Sequence, residues 1–286
     1  MNDMADVAMG ASANAAQWRA KLSLTYGRRG ERTILERRAH SGPLVVQKSL
    51  YPEGDDVCQN IVVHPPAGVA GGDQLALEAA VGEDAWAQLT TPGAARWYRS
   101  SGAPARQTLD FSVADGGVLE WLPQETIIFN GAIAELETRI ALTRGAIFIG
   151  WDIVCLGRRF AGEGFLQGRF AQDVVARRDG VRQWVEQTRL ESGCALLESG
   201  VGLAGHSVFG TFLALAPLVP DTVIAACRKS ACDAGEVAVT HLPGILLARY
   251  RGDSAEAARD YFAALWSRAR SMICGRDAVS PRIWNT

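Results

Sequence analysis

From about residue 18 to residue 215 the chain is broken by turn chemistry roughly every 8 to 14 residues, and the text between alternates apolar and polar side chains. This rhythm narrows the choice of fold more than any other feature, because a side-chain period of two belongs to a strand and not to a helix. In "QTLDFSV", Leu109, Phe111 and Val113 alternate with polar neighbours, and "ADGG" then turns the chain into "VLEWL". "ELETRIAL" sets Leu136, Ile140 and Leu142 on one face and Glu135, Glu137 and Arg139 on the other. "FAQDVVARRDGVRQWVEQTRL" reads as two extended segments around an Asp-Gly turn. The spacing predicts a mainly β protein: a sandwich, a barrel or a β-solenoid. No internal repeat is sharp enough to fix a repeat length.

The period lengthens near residue 220. "PDTVIAACRKSA" spaces Val223, Ile224, Cys227 and Ala231 helically, with Asp221 as the expected N-cap. "HLPGILLARYRG" reads as one strand. In "DSAEAARDYFAALWSRARSMICG", Asp253 and Glu256 fit a capping box, and Gly275 supplies the stop. Ala258, Tyr261, Phe262, Leu265, Ala269 and Met272 form one apolar stripe between them. The expectation is a mobile leader over 1–16 followed by one domain over 17–286. That domain is β-rich over 17–215 and mixed α/β over 216–286, with about two α-helices near the C-terminus.

At 286 residues, 48% of them hydrophobic, the chain can bury a core without staples. A net charge of −2, with arginines interleaved among acids, gives no electrostatic footprint for nucleic acid. Asp3 and Asp6, with no basic cluster near them, make the first residues a poor signal peptide. The apolar runs at 145–157 and 208–219 are too short or too interrupted to span a bilayer. These features point to the cytoplasm, where the scattered cysteines stay reduced.

Catalytic signatures fail on inspection. "GHSVFG" (205–210) has its second glycine one residue late for a nucleophile elbow, and "AGVAGGD" lacks the ending of a phosphate loop. Cys227, Cys232 and His241 could be set around zinc only with a fourth ligand that the sequence does not offer. His40, His64 and His206 have no partner at ligand spacing. A hydrolase built on His206 and Ser207 stays as a rival reading; it needs an orienting acid and an oxyanion hole.

Carboxylates in apolar company carry more information. Asp152 sits inside "GAIFIGWDIVCLG", a buried strand by composition, and shares a face with Phe148, Val154 and Leu156. Glu186 shares a strand face with Trp184 and Leu190. Asp73 closes the stiff loop "HPPAGVAGGD", and Glu120 and Glu125 bracket "WLPQ". Each must be hydrogen-bonded, neutralised or turned to a polar cavity. A salt bridge to an arginine is the plain reading for any one of them. As a set they suggest a polar interior able to hold a divalent cation weakly.

"HPPAGVAGGDQL" (64–75), "TTPGAARWYRSSGAPA" (90–105), "LEWLPQETIIFNGA" (119–132), "GWDIVCLGR" (150–158), "GILLARYRGDSAEAARDYFAALW" (244–266) and the terminal "PRIWNT" together resemble the urease accessory protein D family, called H in some organisms. The resemblance runs from about residue 18 to the end. It implies stacked sheets with helix-like, β-solenoid-like winding and a chaperone that is not an enzyme. It further implies partners: the urease apoprotein, accessory protein F and the GTPase accessory protein G. Ni²⁺ would be in transit to urease through an internal passage, with no tightly bound cofactor. Asp73, Asp152 and Glu186 match family positions that the resemblance assigns to the lining of that passage. Ala67, Ala95 and Arg159 depart from the family's usual glycine, small hydroxyl and proline. Trp97, Tyr98 and Arg99 in "RWYRSSG", with Trp284 in "PRIW", have the composition of a partner interface, although buried packing accounts for the same aromatics. A scaffold that bridges urease and the GTPase without carrying nickel is the alternative.

Overall fold

The computed structural model describes residues 17–285. The leader expected at 1–16 lies outside the described residues. In chain order the strands begin with β1 (Arg19–Arg29), β2 (Arg32–Ser41), β3 (Val45–Val46), β4 (Val57–Val63), β5 (Gly68–Val69) and β6 (Gln74–Val81). There follow β7 (Trp86–Thr90), β8 (Ala95–Trp97), β9 (Ala105–Val113), β10 (Val118–Leu122), β11 (Thr126–Ile128) and β12 (Ile133–Leu142). The last are β13 (Ile147–Leu156), β14 (Arg169–Arg178), β15 (Val181–Glu191), β16 (Val208–Leu215), β17 (Glu236–Leu242) and β18 (Ile245–Gly252). Among the described residues three α-helices are interspersed: α1 (Ala195–Glu198), α2 (Asp221–Arg228) and α3 (Ala255–Cys274).

The chain winds. It steps back and forth between a seven-stranded sheet, ordered β15-β14-β12-β9-β6-β1-β2, and a larger sheet whose main path runs β17-β18-β16-β13-β10-β7-β4-β3. Successive visits add a parallel strand: β6, β9, β12 and β14 lie side by side in the first sheet, and β4, β7, β10 and β13 in the second. Short parallel strands β5, β8 and β11 form a third ladder at the corner. This is the β-solenoid-like stacking that the resemblance implies. Parallel register builds columns of inward side chains, such as Tyr26, Val81, Val113 and Leu142, and Leu24, Ala79, Phe111 and Ile140. Members of a column share inwardness and not identity, which is why no repeat is visible in the sequence.

One core fills the space between the sheets. A second lies on the outer face of the larger sheet, where Ile149, Trp151 and Ile153 of β13 meet Tyr261, Phe262, Leu265 and Trp266 of α3. The Asp-Gly turn between β14 and β15 forms as expected, with Asp179 and Gly180 both at positive φ (49° and 78°). The C-terminal part differs in detail from the sequence reading. Ser254, not Asp253, caps α3, its side chain accepting from Ala257 N at 3.1 Å. Asp221 is the first residue of α2, behind Pro220, and makes no cap hydrogen bond. Met272 lies off the buried stripe of α3, and Arg270 lies on it. "HLPGILLARYRG" supplies the end of β17, a turn and β18, an antiparallel pair rather than one strand.

Candidate functional site

Alternation on β13 turns Asp152 towards the first sheet, together with Phe148, Val154 and Leu156. Its register partner on β16 is Thr211, and Thr211 in turn sits beside Arg249 of β18. On the facing sheet, β14 and β15 bring up Gln172 and Glu186. Gln172 Nε2 donates to Asp152 Oδ2 at 2.6 Å across the gap, and Thr211 N donates to Oδ1 at 3.0 Å. Glu186 Oε1 accepts from Thr211 Oγ1 at 3.3 Å and is ion-paired with Arg249 Nη1. Arg249 Nη1 also donates to Thr211 Oγ1 at 3.0 Å. Two sheets thus join one polar network at a place where both otherwise present apolar columns.

That network lines a space. A cavity of about 100 Å³ between the sheets is walled by Asp152, Gln172, Glu186 and Thr211, with Thr138, Trp184 and Leu213. Thr91, Ala95, Gln107, Leu109 and Trp121 belong both to it and to a second cavity of about 310 Å³, which reaches His64, Ala67 and Gly68. On the other side, Glu186 is shared with a groove of about 480 Å³ along β15, β17 and β18. Asp152 is only half-buried by accessible surface although it lies between the sheets, so the surface it keeps faces the cavity. Burial raises its pKa to about 7, helped by the charge of Glu186; hydrogen bonds from Thr211 and Gln172 and the charge of Arg249 oppose the rise. Trp184 Nε1 and His64 Nε2 are buried without a hydrogen-bond partner among the described residues, on the walls of the inner and the outer cavity respectively. Such groups are ordinarily satisfied by water.

Asp73 lies elsewhere. Its Oδ2 accepts from Ala70 N at 2.8 Å and its Oδ1 from Trp18 N at 2.9 Å, tying the Pro/Gly loop to the start of the first strand. It is absent from the walls of both cavities. The loop it braces carries His64, Ala67 and Gly68, and the ring of Tyr98 packs so closely on Gly68 that no Cβ would fit. Burial pushes the His64 imidazole below its ordinary value, against the pull of Asp73.

A family model described as "UreD urease accessory protein" matches residues 19–285. The chain belongs to the UreD urease accessory protein family. It is 51% identical to the urease accessory protein UreD of Dechloromonas aromatica (strain RCB), over 96% of both chains. It is 50% identical to UreD of Azoarcus sp. (strain BH72), again over 96% of both, and 50% identical to UreD of Pseudomonas aeruginosa PAO1, over 94% of this chain and 95% of that one.

Against the UreD frame, the remaining candidates separate cleanly. Trp97 is 1% exposed and belongs to the inter-sheet core, so it offers a partner no surface. Tyr98 and Arg99, beside it, are exposed. Trp284 packs on Trp151 and Trp266 and donates to Thr90 Oγ1 at 2.8 Å. Ala67 sits at φ 61°, a conformation glycine adopts without penalty. Arg159 pairs with Asp253. Asp253 is also the acid beside His206 (3.2 Å) that the hydrolase reading required, but Ser207 Oγ donates to Asp253 rather than to His206. The trio braces two loops. Among the described residues no three His, Cys, Asp or Glu side chains gather as a metal cluster, and no helix is long and apolar enough to cross a membrane. Sequence reasoning missed Gln172, Thr211 and Arg249, whose only signal was polarity at inward strand positions.

Proposed function

We propose that this chain acts in urease maturation as a chaperone and nickel conduit, working in the cytoplasm with accessory protein F and the GTPase accessory protein G to load the urease apoprotein. The observation that carries the reading is the run of three neighbouring cavities that share wall residues, with Asp152 and Glu186 lining the smallest of them. Ni²⁺ is the cargo. Two carboxylates with amide and hydroxyl neighbours offer it oxygen ligands that bind and release, whereas a closed set of imidazoles and thiolates would retain it. In this scheme Asp73 does not touch the ion; it holds the loop at the outer cavity in shape. Tyr98 and Arg99 are the surface left for a partner in that region.

The test is the nickel content of urease purified from cells in which this chain is the only protein of its kind. Asp152→Asn and Glu186→Gln are expected to keep the chain bound to the apoprotein and to lower nickel several-fold. Urease with full nickel from both strains would sink the conduit. One observation favours a passive scaffold: Asp152 and Glu186 already have partners within the chain, so their burial needs no metal.

A further inference from the structure

Arg249 is the cation nearest the acidic pair. It ends the row Asp152, Thr211, Arg249 that crosses β13, β16 and β18, and it stands where the inner cavity gives way to the outer groove. Its side chain is 46% exposed, against 12% for Glu186, so the guanidinium reaches inwards from a position open to solvent. Glu236 and Arg251, its neighbours along the groove, pair with each other and leave Arg249 to Glu186. We infer that Arg249 is a displaceable internal counter-ion: it closes the acidic chamber towards the groove, and a divalent cation reaching Glu186 must push it out. This rests on the reading of Asp152 and Glu186 as cation carriers.

Two physical points support the inference. A guanidinium and a divalent cation on the same carboxylate repel strongly in a half-buried setting, so they exclude each other. A resident positive charge also cancels part of the negative charge offered to the ion and so limits how long the ion stays. The side chain has a way out, because the groove beside it holds about 480 Å³. Returning to Glu186, the same group would restore the empty state without a proton or another protein.

Equilibrium Ni²⁺ binding to the purified full chain, by titration calorimetry, tests this. Arg249→Gln is expected to bind Ni²⁺ roughly tenfold more tightly, about the effect of one nearby charge. Arg249→Lys should stay near the starting affinity. Adding Asp152→Asn to Arg249→Gln should abolish the gain. Should Arg249→Gln fail to fold, Arg249→Met carries the same expectation. Binding that needs Asp152 but is unchanged by Arg249→Gln would overturn the counter-ion and leave the conduit standing. A gain that survives Asp152→Asn would also overturn it. Ni²⁺ binding indifferent to Asp152 and Glu186 in every background would overturn both.

Discussion

Asp152 lies on the inner face of a strand that is otherwise apolar there, and its ionised form is the costly one. Its folded pKa, about 7, stands above the ordinary carboxylate value of 3.8. The folded state therefore holds the proton more tightly than the unfolded chain. The associated stability is fully present below pH 3.8 and is lost as pH rises through about 7. Asp152→Asn should stabilise the fold at pH 8 by on the order of 1–2 kcal/mol once contact with the cavity is allowed for, seen as a higher thermal unfolding midpoint, and leave the midpoint unchanged at pH 4. Equal midpoints at both pH values would show that the carboxylate is better solvated than its position implies. The sequence announced Asp152 and Glu186 because strand alternation alone tells which face a residue takes. It did not announce Gln172, Thr211 or Arg249, because only the stacking of distant strands makes them neighbours. Asp73 misled for a related reason: a carboxylate that two backbone amides satisfy looks, in sequence, like one that faces a cavity.

Among the elements, α3 is held to the larger sheet by more than its apolar stripe. Glu120 of β10 is fully buried beneath it and accepts from Trp86 Nε1, Gln88 Nε2 and Trp266 Nε1 at 3.1, 3.0 and 2.6 Å. Arg270 of α3 places Nε 2.9 Å from Glu120 Oε1, its N–H off the line of a hydrogen bond, and Nη2 2.6 Å from Glu53 Oε2. Burial raises the Glu120 pKa, and the charge of Arg270 with the hydrogen bonds from Trp266, Gln88 and Trp86 opposes the rise. Arg270→Met should cost about 3–5 kcal/mol, because it leaves the buried Glu120 without a cation and Glu53 with Arg276 alone, whereas a surface arginine on the same helix should cost under ~1 kcal/mol. Urea unfolding decides it. Here Glu120 takes the plain reading, as does Glu125, 3.5 Å from Arg259. The helix itself was legible from its period and its terminal glycine. Its cap was not, since Asp253 and Ser254 both suit an N-cap and only the pull of Arg159, His206 and Ser207 on Asp253 settles which one serves.

For the whole molecule, the question is whether anything travels between the sheets. Ala95 belongs to the wall common to the inner and the larger cavity, and carries no charge to confuse the result. Ala95→Phe should narrow that neck at a stability cost of about 1–3 kcal/mol, keep the chain on the urease apoprotein, and lower the nickel in urease several-fold. Undiminished nickel with the variant folded and bound would favour the scaffold. The mainly β class was legible from the period of the text, but the winding was not: its columns hold tyrosine beside valine and leucine beside alanine, so the repeat exists only in space.

A coil of parallel strands ends, in principle, in an open rung on which a second chain could lay its own backbone. In the seven-stranded sheet both outermost rungs, β2 and β15, instead fold back antiparallel on their neighbours. They leave charged side chains outward, among them Glu36, Arg37 and Arg38 on one and Arg182, Arg189 and Glu191 on the other. The winding that creates an interior is thereby kept from becoming a template for fibre growth.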